Sequence, residues 1–248
     1  LREGAQLAAR AAGRPVTGRP QRAGAPHELH LGDRHAAATA ADAAAALAAA
    51  FQPDPMMQYL VPDSTRRRRM RLPYFGAVLR QAGRRGRLRV IGEDTGLAAG
   101  GDPATSGRAT VAGAAIAMPP GTYPLPVLPQ LAEWRTMVTS GWGATLRNFR
   151  DLPPIDAARP SEPYWYLMYL GVHPDQQGHG HGAALLGDVL ADADRDQLPA
   201  YLVTMKEANL AWYGRFGFAV REELRLGRSG PPTWTMLRPA APIPSATD

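Results

Sequence analysis

Residues 164–204 constrain the fold more than any other part of the sequence. They open with nine aromatic and aliphatic residues, 164–172, a run that is apolar on both faces and suits a central strand of a covered sheet. A glycine-rich turn follows, then an amphipathic pattern over residues 183–193 and a second apolar run at residues 200–204. In a strand–turn–helix–strand unit of this kind the two strands run parallel. The sequence therefore predicts an α/β fold that contains a parallel strand pair.

The turn between the first strand and the helix has the composition of a phosphate-binding loop. Glycine accepts positive φ angles and lets a ligand approach the backbone closely. The free N–H groups and the positive end of a helix dipole then favour an anion. A tight turn without a ligand is the alternative, although three alternating glycines exceed what such a turn needs. The residues of the turn are Gln177, Gly178, His179, Gly180, His181 and Gly182.

Two common nucleotide-binding motifs fit this turn poorly. A P-loop is excluded because no Gly-Lys-Ser or Gly-Lys-Thr follows. A dinucleotide fingerprint is met only loosely by Gly178, Gly180 and Ala183. The acidic residue expected at the end of the next strand is missing, because Val203 and Thr204 stand there. A Rossmann enzyme is therefore not favoured.

Residues 170–182 resemble the acetyl-CoA signature of the GNAT superfamily of N-acetyltransferases. The family pattern Gln/Arg-x-x-Gly-x-Gly/Ala is met by Gln177, Gly180 and Gly182. Downstream, Asn209-x-x-x-Tyr213-x-x-x-Gly-Phe is similar to the second element of the family at its usual distance. The resemblance is strong over residues 165–220.

Weaker features resemble the branch of the superfamily that includes puromycin N-acetyltransferase. They are Phe51-x-x-Asp54-Pro55, the Met-Pro-Pro-Gly at residues 118–121, and Pro231-x-x-Trp234-x-Met236. The resemblance implies a mixed, mostly antiparallel central sheet flanked by helices, in which a splayed parallel strand pair forms the acetyl-CoA slot. We expect residues 1–26 to be a flexible basic leader, residues 27–240 a single GNAT-like domain and residues 241–248 a C-terminal tail.

The same resemblance assigns roles to individual residues. The backbone of Leu170, Gly171 and Val172 would pair with the pantetheine amides, and the glycine turn would hold the pyrophosphate. Asn209 would reach the pantetheine arm. Tyr213 would be the general acid, since a phenol with a reference pKa of about 10 stays protonated at neutral pH and can protonate a departing thiolate.

The general base is left open by the sequence. This branch often has a glutamate after Tyr-Leu, where the chain has Val203. The candidates are Glu133, Glu162 and His173. A chain of water molecules, or an amine that arrives neutral, would remove the need for a base.

These observations predict an acetyl-CoA-dependent N-acetyltransferase. Its acceptor is expected to be a primary amine on a small molecule, such as an antibiotic or another natural product, attacked directly in a ternary complex. A protein or peptide N-acetyltransferase is the first alternative, and a non-catalytic CoA-binding regulator is the second. We expect a monomer or homodimer in the cytoplasm, with no membrane partner.

Composition excludes several other classes of site. Cysteine is absent, which excludes disulfides, thiolate metal sites and a cysteine nucleophile. The net charge is +6, but Lys206 is the only lysine and the arginine excess reads as solvated surface, so nucleic acid is not favoured as a partner. The arginines at residues 66–71 fit a solvated helix end. No metal is expected at His173, His179 or His181, because alternating residues of a turn point apart.

Local patterns elsewhere predict further elements. We expect a first strand at residues 27–31 and an alanine-rich helix that is capped by Thr39 and ends at Phe51. Ser64 would cap a helix over residues 65–71, and Pro73 would begin a separate one. An amphipathic pattern over residues 128–149 predicts a helix broken near Gly141 and Gly143, and residues 153–163 read as a connector.

Overall fold

The computed structural model describes residues 25–29, 36–92, 111–124 and 141–241. Seven strands run through these ranges: β1 (His27–Glu28), β2 (Arg87–Gly92), β3 (Val111–Met118), β4 (Trp165–Val172), β5 (Ala200–Thr204), β6 (Ala219–Arg225) and β7 (Pro232–Arg238). The helices are α1 (Ala36–Ala50), α2 (Pro55–Leu60), α3 (Ser64–Ala82), α4 (Trp142–Asp151), α5 (Pro153–Ala157), α6 (His181–Arg195) and α7 (Ala208–Gly214). A 3₁₀ turn, Pro174–Gln176, precedes the glycine turn.

The strands form one sheet in the order β1-β2-β3-β4-β5-β7-β6. Strands β4 and β5 pair in parallel, and the other neighbouring strands pair antiparallel. The parallel pair is joined through α6, as the glycine turn and the helical pattern predicted. The predicted fold class, a mostly antiparallel mixed sheet with one parallel pair, is confirmed.

Strand β4 contains a bulge at its centre. Its pairing with β3 steps from Leu167 opposite Ala117 to Tyr169 opposite Ile116, which leaves Met168 as an extra residue. A bulge of this kind reverses the alternation of side chains between the two faces. Leu167 packs with one core and both Met168 and Tyr169 with the other, after which Leu170 returns to the first.

Two apolar cores cover the two faces of the sheet. One lies under α1 and α3 and contains Leu47, Phe75 and Ile116. The other lies under α6 and contains Leu185 and Leu202. A strand covered on both faces reads as continuously apolar, which explains the character of residues 164–172.

A buried ionic network fastens α6 to the sheet. Arg89 on β2 is only 6% exposed and points to the α6 face. Its guanidinium contacts Asp188, donates to Asp192 at 2.6 Å and lies 2.7 Å from Glu28 on β1. Because Asp192 also accepts from Arg195 at 2.6 Å, its carboxylate is shared by two arginines.

Several local predictions are wrong. Thr39 does not cap α1, which already begins at Ala36. Helix α3 is capped by Asp63, whose carboxylate accepts from the Arg66 N–H at 2.6 Å, and it continues through Pro73 without a break. The exposed position of Pro73 lets water satisfy the carbonyl that proline leaves free, while apolar contacts of the next turn hold the helix.

Two short helices that begin with proline were not predicted. The segment at residues 153–163, expected to be a connector, contains α5. Helix α2 begins at Pro55, and Asp54 is its N-cap. The described part of the predicted helix at residues 128–149 is α4, which includes Gly143 and starts after Gly141 at a φ of 86°.

Some predictions lie outside the described residues. They concern most of the basic leader, the C-terminal tail after residue 241, the first part of the helical pattern at residues 128–149, and Glu133. Among the residues that are described, no helix combines the length and apolar character needed to cross a membrane.

Candidate functional site

The parallel strands β4 and β5 separate at the centre of the sheet. Their pairing covers three positions and ends with Leu167 opposite Leu202. Beyond that point β4 continues to Val172 and pairs only with β3, while β5 continues to Thr204 and pairs only with β7. In the described structure the β5-facing edge of β4 from Met168 to Val172 thus has no strand partner. Its backbone groups can pair with an extended ligand as another strand would.

The glycine turn lies at the open end of this gap. Gly178 and Gly180 both have a φ of 84°, in the left-handed region, and a Cβ at either position would meet no atom within 4 Å. Gly180 is the N-cap of α6 and supplies no side-chain cap. Among the described residues no acceptor is found for the N–H groups of Gly180, Gly182 and Ala183. Open space and unused donors at a helix N-terminus together fit a phosphate or pyrophosphate group.

The side chains of Gln177 and Asn209 are hydrogen-bonded to the ends of the two strands that border the gap. The Gln177 amide donates to the Val172 carbonyl at 3.1 Å, which ties the turn to the end of β4. The Asn209 amide donates to the Thr204 hydroxyl at 3.0 Å, which ties α7 to the end of β5. Asn209 also lines the cavity described below.

Gly171 has a packing reason that the sequence did not reveal. A Cβ there would lie 2.9 Å from the Cβ of Ala50 and 3.0 Å from a methyl of Leu47, both on α1. The absence of a side chain therefore lets α1 approach β4 closely. On either side of it, Leu170 and Val172 pack towards the opposite core, under α6.

Tyr213 lies one turn after Asn209 on α7, and both residues line the same cavity. The Tyr213 ring is buried against Trp212 and Phe218 in edge-to-face contacts. Burial raises the pKa of its phenol above the ordinary tyrosine range, so the group is a neutral O–H donor at physiological pH.

One cavity of about 1040 Å³ connects the glycine turn with the space between α2, α3 and α4. Tyr213, Asn209 and the β4 edge line its sheet side. Its far side is formed by residues that the sequence did not select, including Asp54, Met57, Leu60, Val61, Met70 and Tyr74. This is large enough for a drug-sized ligand beyond the strand gap.

Two tyrosine hydroxyls meet in the wall of the cavity. The hydroxyls of Tyr74 and Tyr169 are 2.6 Å apart, and the Tyr169 ring lies edge-on to both Phe51 and Phe75. Burial raises the pKa of both phenols, and the pairing with Tyr74 raises that of Tyr169 further. The pair is thus neutral at physiological pH.

Asp54 is the cavity residue of most chemical interest that sequence reasoning did not assign. Its carboxylate accepts from the Met57 N–H at 3.0 Å as the N-cap of α2. Burial raises the pKa of this carboxyl, while the Met57 hydrogen bond and the charge of Lys206 act in the opposite direction. The available signal was Asp54-Pro55, an N-cap followed by proline at the first helical position.

Two of the three candidate bases proposed from the sequence, His173 and Glu162, do not line this cavity. His173 follows the end of β4, where its Nδ1 accepts from the Asp175 N–H at 3.3 Å. Glu162 is exposed and lines a second cavity of about 660 Å³ with Arg159 and Tyr164. Glu133 lies outside the described residues.

The histidines of the turn do not assemble a cluster of ligands. The rings of His179 and His181 are 6.0 Å apart. His179 is exposed, whereas His181 is buried and lines the cavity at the start of α6. Within the described ranges no three His, Asp or Glu side chains come together as a potential metal site.

Comparison with known families joins this geometry to a known fold. Residues 141–218, from the residue before α4 to the end of the Tyr213 segment, match the acetyltransferase (GNAT) family. The splayed parallel pair and the glycine turn at the α6 N-terminus both lie within this match. The chain has the GNAT fold. Helices α1, α2 and α3 lie outside the match.

Known proteins resemble the GNAT fold of this chain to different extents. An uncharacterized N-acetyltransferase from Schizosaccharomyces pombe is 34% identical over 64 residues, which are 26% of this chain and 26% of that protein. A solved structure described as histone acetyltransferase HPA2 and related acetyltransferase, from Corynebacterium glutamicum, is 19% identical with a TM-score of 0.60. It covers 89% of this chain and 99% of its own. The family match and the yeast relative support the prediction of an N-acetyltransferase enzyme.

Proposed function

We propose that the protein transfers the acetyl group of acetyl-CoA to a primary amine of a small molecule. The observation that carries the proposal is the junction of the β4–β5 gap with the glycine turn. Among the described residues, a strand edge without a strand partner, two glycines at positive φ and N–H donors without an acceptor lie along one continuous cavity. The pantetheine amides of acetyl-CoA would complement the strand edge, and its pyrophosphate would complement the glycine turn and the N–H donors.

The donor would be bound mainly by backbone groups. Leu170, Gly171 and Val172 offer their peptide groups to the pantetheine amides. The N–H groups from Gly178 to Gly182 would receive the pyrophosphate, where the dipole of α6 favours negative charge. Asn209 would support the pantetheine arm from the β5 side of the gap.

The chemical step exchanges a carbon–sulfur bond for a carbon–nitrogen bond. The neutral amine attacks the thioester carbonyl, the C–N bond forms, and the C–S bond breaks as the thiolate leaves. Tyr213 would donate its phenolic proton to the departing sulfur and recover one from solvent. The proton lost by the amine would leave through water or through a carboxylate of the cavity.

The class of acceptor is part of the same proposal. The segment around Asp54 and the strand that carries Trp234 resemble the branch that includes puromycin N-acetyltransferase, which favours an amine-bearing antibiotic or another natural product. The cavity between α2, α3 and α4 has room for such a molecule. A protein or peptide acceptor is the competing outcome of the experiment below.

Release of free thiol from acetyl-CoA tests the function. The purified chain should release CoA in proportion to added amine and yield the N-acetylated product by mass spectrometry. The panel would contain arylalkylamines, aminonucleosides and a short peptide with a free N-terminus. No amine-dependent release with any acceptor, in a protein that binds acetyl-CoA, would favour a CoA-binding regulator. Faster turnover of the peptide would favour a peptide N-acetyltransferase.

A further inference from the structure

The cavity carries one carboxylate whose charge is not neutralised by a close partner. Asp54 uses one carboxylate oxygen as the α2 cap, at 3.0 Å from the Met57 nitrogen, and the residue faces the cavity. Within the described part of the chain it makes no salt bridge. Lys206 acts on it only through space, and lowers its pKa less than burial raises it.

The cavity around Asp54 is lined mainly by apolar side chains. Beyond the Tyr74–Tyr169 pair, aliphatic and thioether side chains predominate, and Thr145, Asn148 and Lys206 also line the cavity; the apolar residues are Met57, Leu60, Val61, Met70, Ala144 and Leu152. A charged group in such a setting is costly unless it meets an opposite charge. A ligand that fills this space therefore gains most if it carries a cation beside an apolar body.

The other described carboxylate that lines the cavity already has a cationic neighbour. Asp156 lies 3.7 Å from the Arg159 guanidinium, whose central carbon also lies over the Tyr123 ring, 5.0 Å from the ring centre. Asp156 is about half exposed and stands at the junction with the second cavity. Asp54 is thus the better placed of the two to receive a cation from the ligand.

Three contacts join α2, which follows its N-cap Asp54, to α4 and to the loop between β6 and β7. The Tyr59 hydroxyl on α2 donates to the Asp151 carboxylate on α4 at 2.9 Å. The Arg147 guanidinium donates to the Leu60 carbonyl at 2.6 Å and 3.1 Å. The loop between β6 and β7 packs on the same point, since a Cβ at Gly227 would lie 2.5 Å from the Tyr59 hydroxyl. These contacts fix the position of α2, and with it Asp54, against the rest of the fold.

We propose that Asp54 binds the ammonium group of the acceptor, and that the acceptor is a primary amine on an apolar body. This inference rests on the acetyl-transfer function and specifies its acceptor. The carboxylate receives the cation, and the apolar wall between α2, α3 and α4 receives the carbon skeleton. Asp54 is accordingly a specificity-determining residue in addition to the cap of α2.

A pair of isosteric probes separates charge recognition from packing. Binding of 2-phenylethylamine and of its neutral analogue 2-phenylethanol would be measured by titration calorimetry in the presence of CoA. The natural chain should prefer the amine by about ten- to a hundredfold, the range for a charge-assisted hydrogen bond. In Asp54→Asn the preference should disappear, because the alcohol keeps its affinity and the amine loses its partner.

Asp63→Asn is the matched control. Asp63 caps α3 as Asp54 caps α2, through a 2.6 Å bond to Arg66, but it is exposed and outside the cavity. Asparagine caps helices about as well as aspartate, so both variants should fold. Asp63→Asn should keep the preference for the amine. Lys206→Gln should keep it too, which separates ligand recognition from a role of Asp54 as the partner of Lys206.

The outcomes distinguish this proposal from the proposed function. Loss of the amine preference in Asp54→Asn alone supports the assignment. Equal affinity of the natural chain for amine and alcohol, no binding of either probe, or an unchanged preference in Asp54→Asn would overturn it. Tighter binding of a free-N-terminal peptide than of 2-phenylethylamine would overturn the small apolar acceptor. The proposed function is judged separately, by acetyl-CoA binding and thiol release.

Discussion

The hydroxyl oxygens of Tyr74 and Tyr169 lie 2.6 Å apart, and this hydrogen bond joins α3 to β4 beside the bulge. Tyr169 is 8% exposed, and its ring lies between two phenylalanines. The bond therefore links α3 to β4, the strand that borders the gap beside β5.

Removing one hydroxyl of this pair should cost more than removing both. Tyr74→Phe leaves the Tyr169 hydroxyl without its partner in a buried wall, at an expected cost of about 1–3 kcal/mol in the free energy of unfolding. The double variant with Tyr169→Phe should recover much of that loss, because no unpaired hydroxyl remains. Urea unfolding of the two single variants and the double variant measures the coupling. Additive losses would show that the hydroxyls do not act as a pair.

Asp54→Asn should stabilise the protein at neutral pH. Burial raises the pKa of Asp54 in the folded state above its unfolded value of about 3.9. The folded state then binds more protons, so the contribution of this group to stability is complete below that value and is lost as pH rises through the folded pKa. Asparagine keeps the cap and does not ionise.

The difference in melting temperature between Asp54→Asn and the natural chain should therefore be positive at pH 7 and shrink as the pH falls towards 4. Thermal unfolding across this range provides the measurement, with Asp63→Asn as the exposed control. A variant that is less stable than the natural chain at pH 7 would show that Asp54 makes a stabilising charge interaction in the fold.

Tyr213→Phe should lower kcat and leave the KM for acetyl-CoA nearly unchanged. The hydroxyl would act where negative charge develops on the departing sulfur, an interaction that strengthens in the transition state. We expect a fall in kcat of at least about tenfold, a lower bound on general-acid catalysis because water can substitute. Burial raises the Tyr213 pKa, so this phenol should add no alkaline limb to the pH profile near neutrality. Full kcat with an unchanged profile, when chemistry limits the rate, would leave Tyr213 a packing residue.

Arg89→Met should destabilise the fold by about 3–5 kcal/mol, because it leaves the carboxylates of Asp188 and Asp192 without their buried cation. Arg87 on the same strand is the control. Its guanidinium is 2.9 Å from Glu28 but its side chain is 48% exposed, so Arg87→Met should cost less than about 1 kcal/mol. Denaturant unfolding at low and high salt compares the two. Equal losses would mean that burial does not strengthen the Arg89 network.

The glycine turn and the strand and helix that flank it could be predicted from the sequence because their signals are local. The glycines of the turn need positive φ, and the strand and helix that flank them each carry a clear apolar pattern. The spacing of Asn209 and Tyr213 places both on one side of a helix, and both line the cavity. Their position in the sequence was enough to bring them together.

The part of the cavity between α2, α3 and α4 could not be predicted in the same way. Asp54 reaches the cavity because a six-residue helix starts at Pro55 and packs near α4, almost a hundred residues later in the chain. Pro73 suggested that the helix would end there, but α3 continues past Pro73, and its next turn is held by the apolar contacts of Phe75 and Leu79. The bulge at Met168 cannot be recognised in the sequence, because the residues of β4 on both sides of it are apolar. Each of these features depends on tertiary packing rather than on local pattern.

Titration calorimetry of acetyl-CoA against Gly180→Glu and Gly187→Glu tests the central claim most directly. Both variants add the same side chain and charge to one helix: Gly180 caps the α6 N-terminus at the turn, and Gly187 is exposed further along, with no atom within 4 Å of an added Cβ. The natural chain and Gly187→Glu should bind acetyl-CoA alike. The affinity of Gly180→Glu for acetyl-CoA should fall about a hundredfold or more, since each lost charge-assisted hydrogen bond is worth ~1.5–3 kcal/mol. Undiminished affinity in a folded Gly180→Glu, or no binding by the natural chain, would contradict acetyl-CoA recognition at this turn.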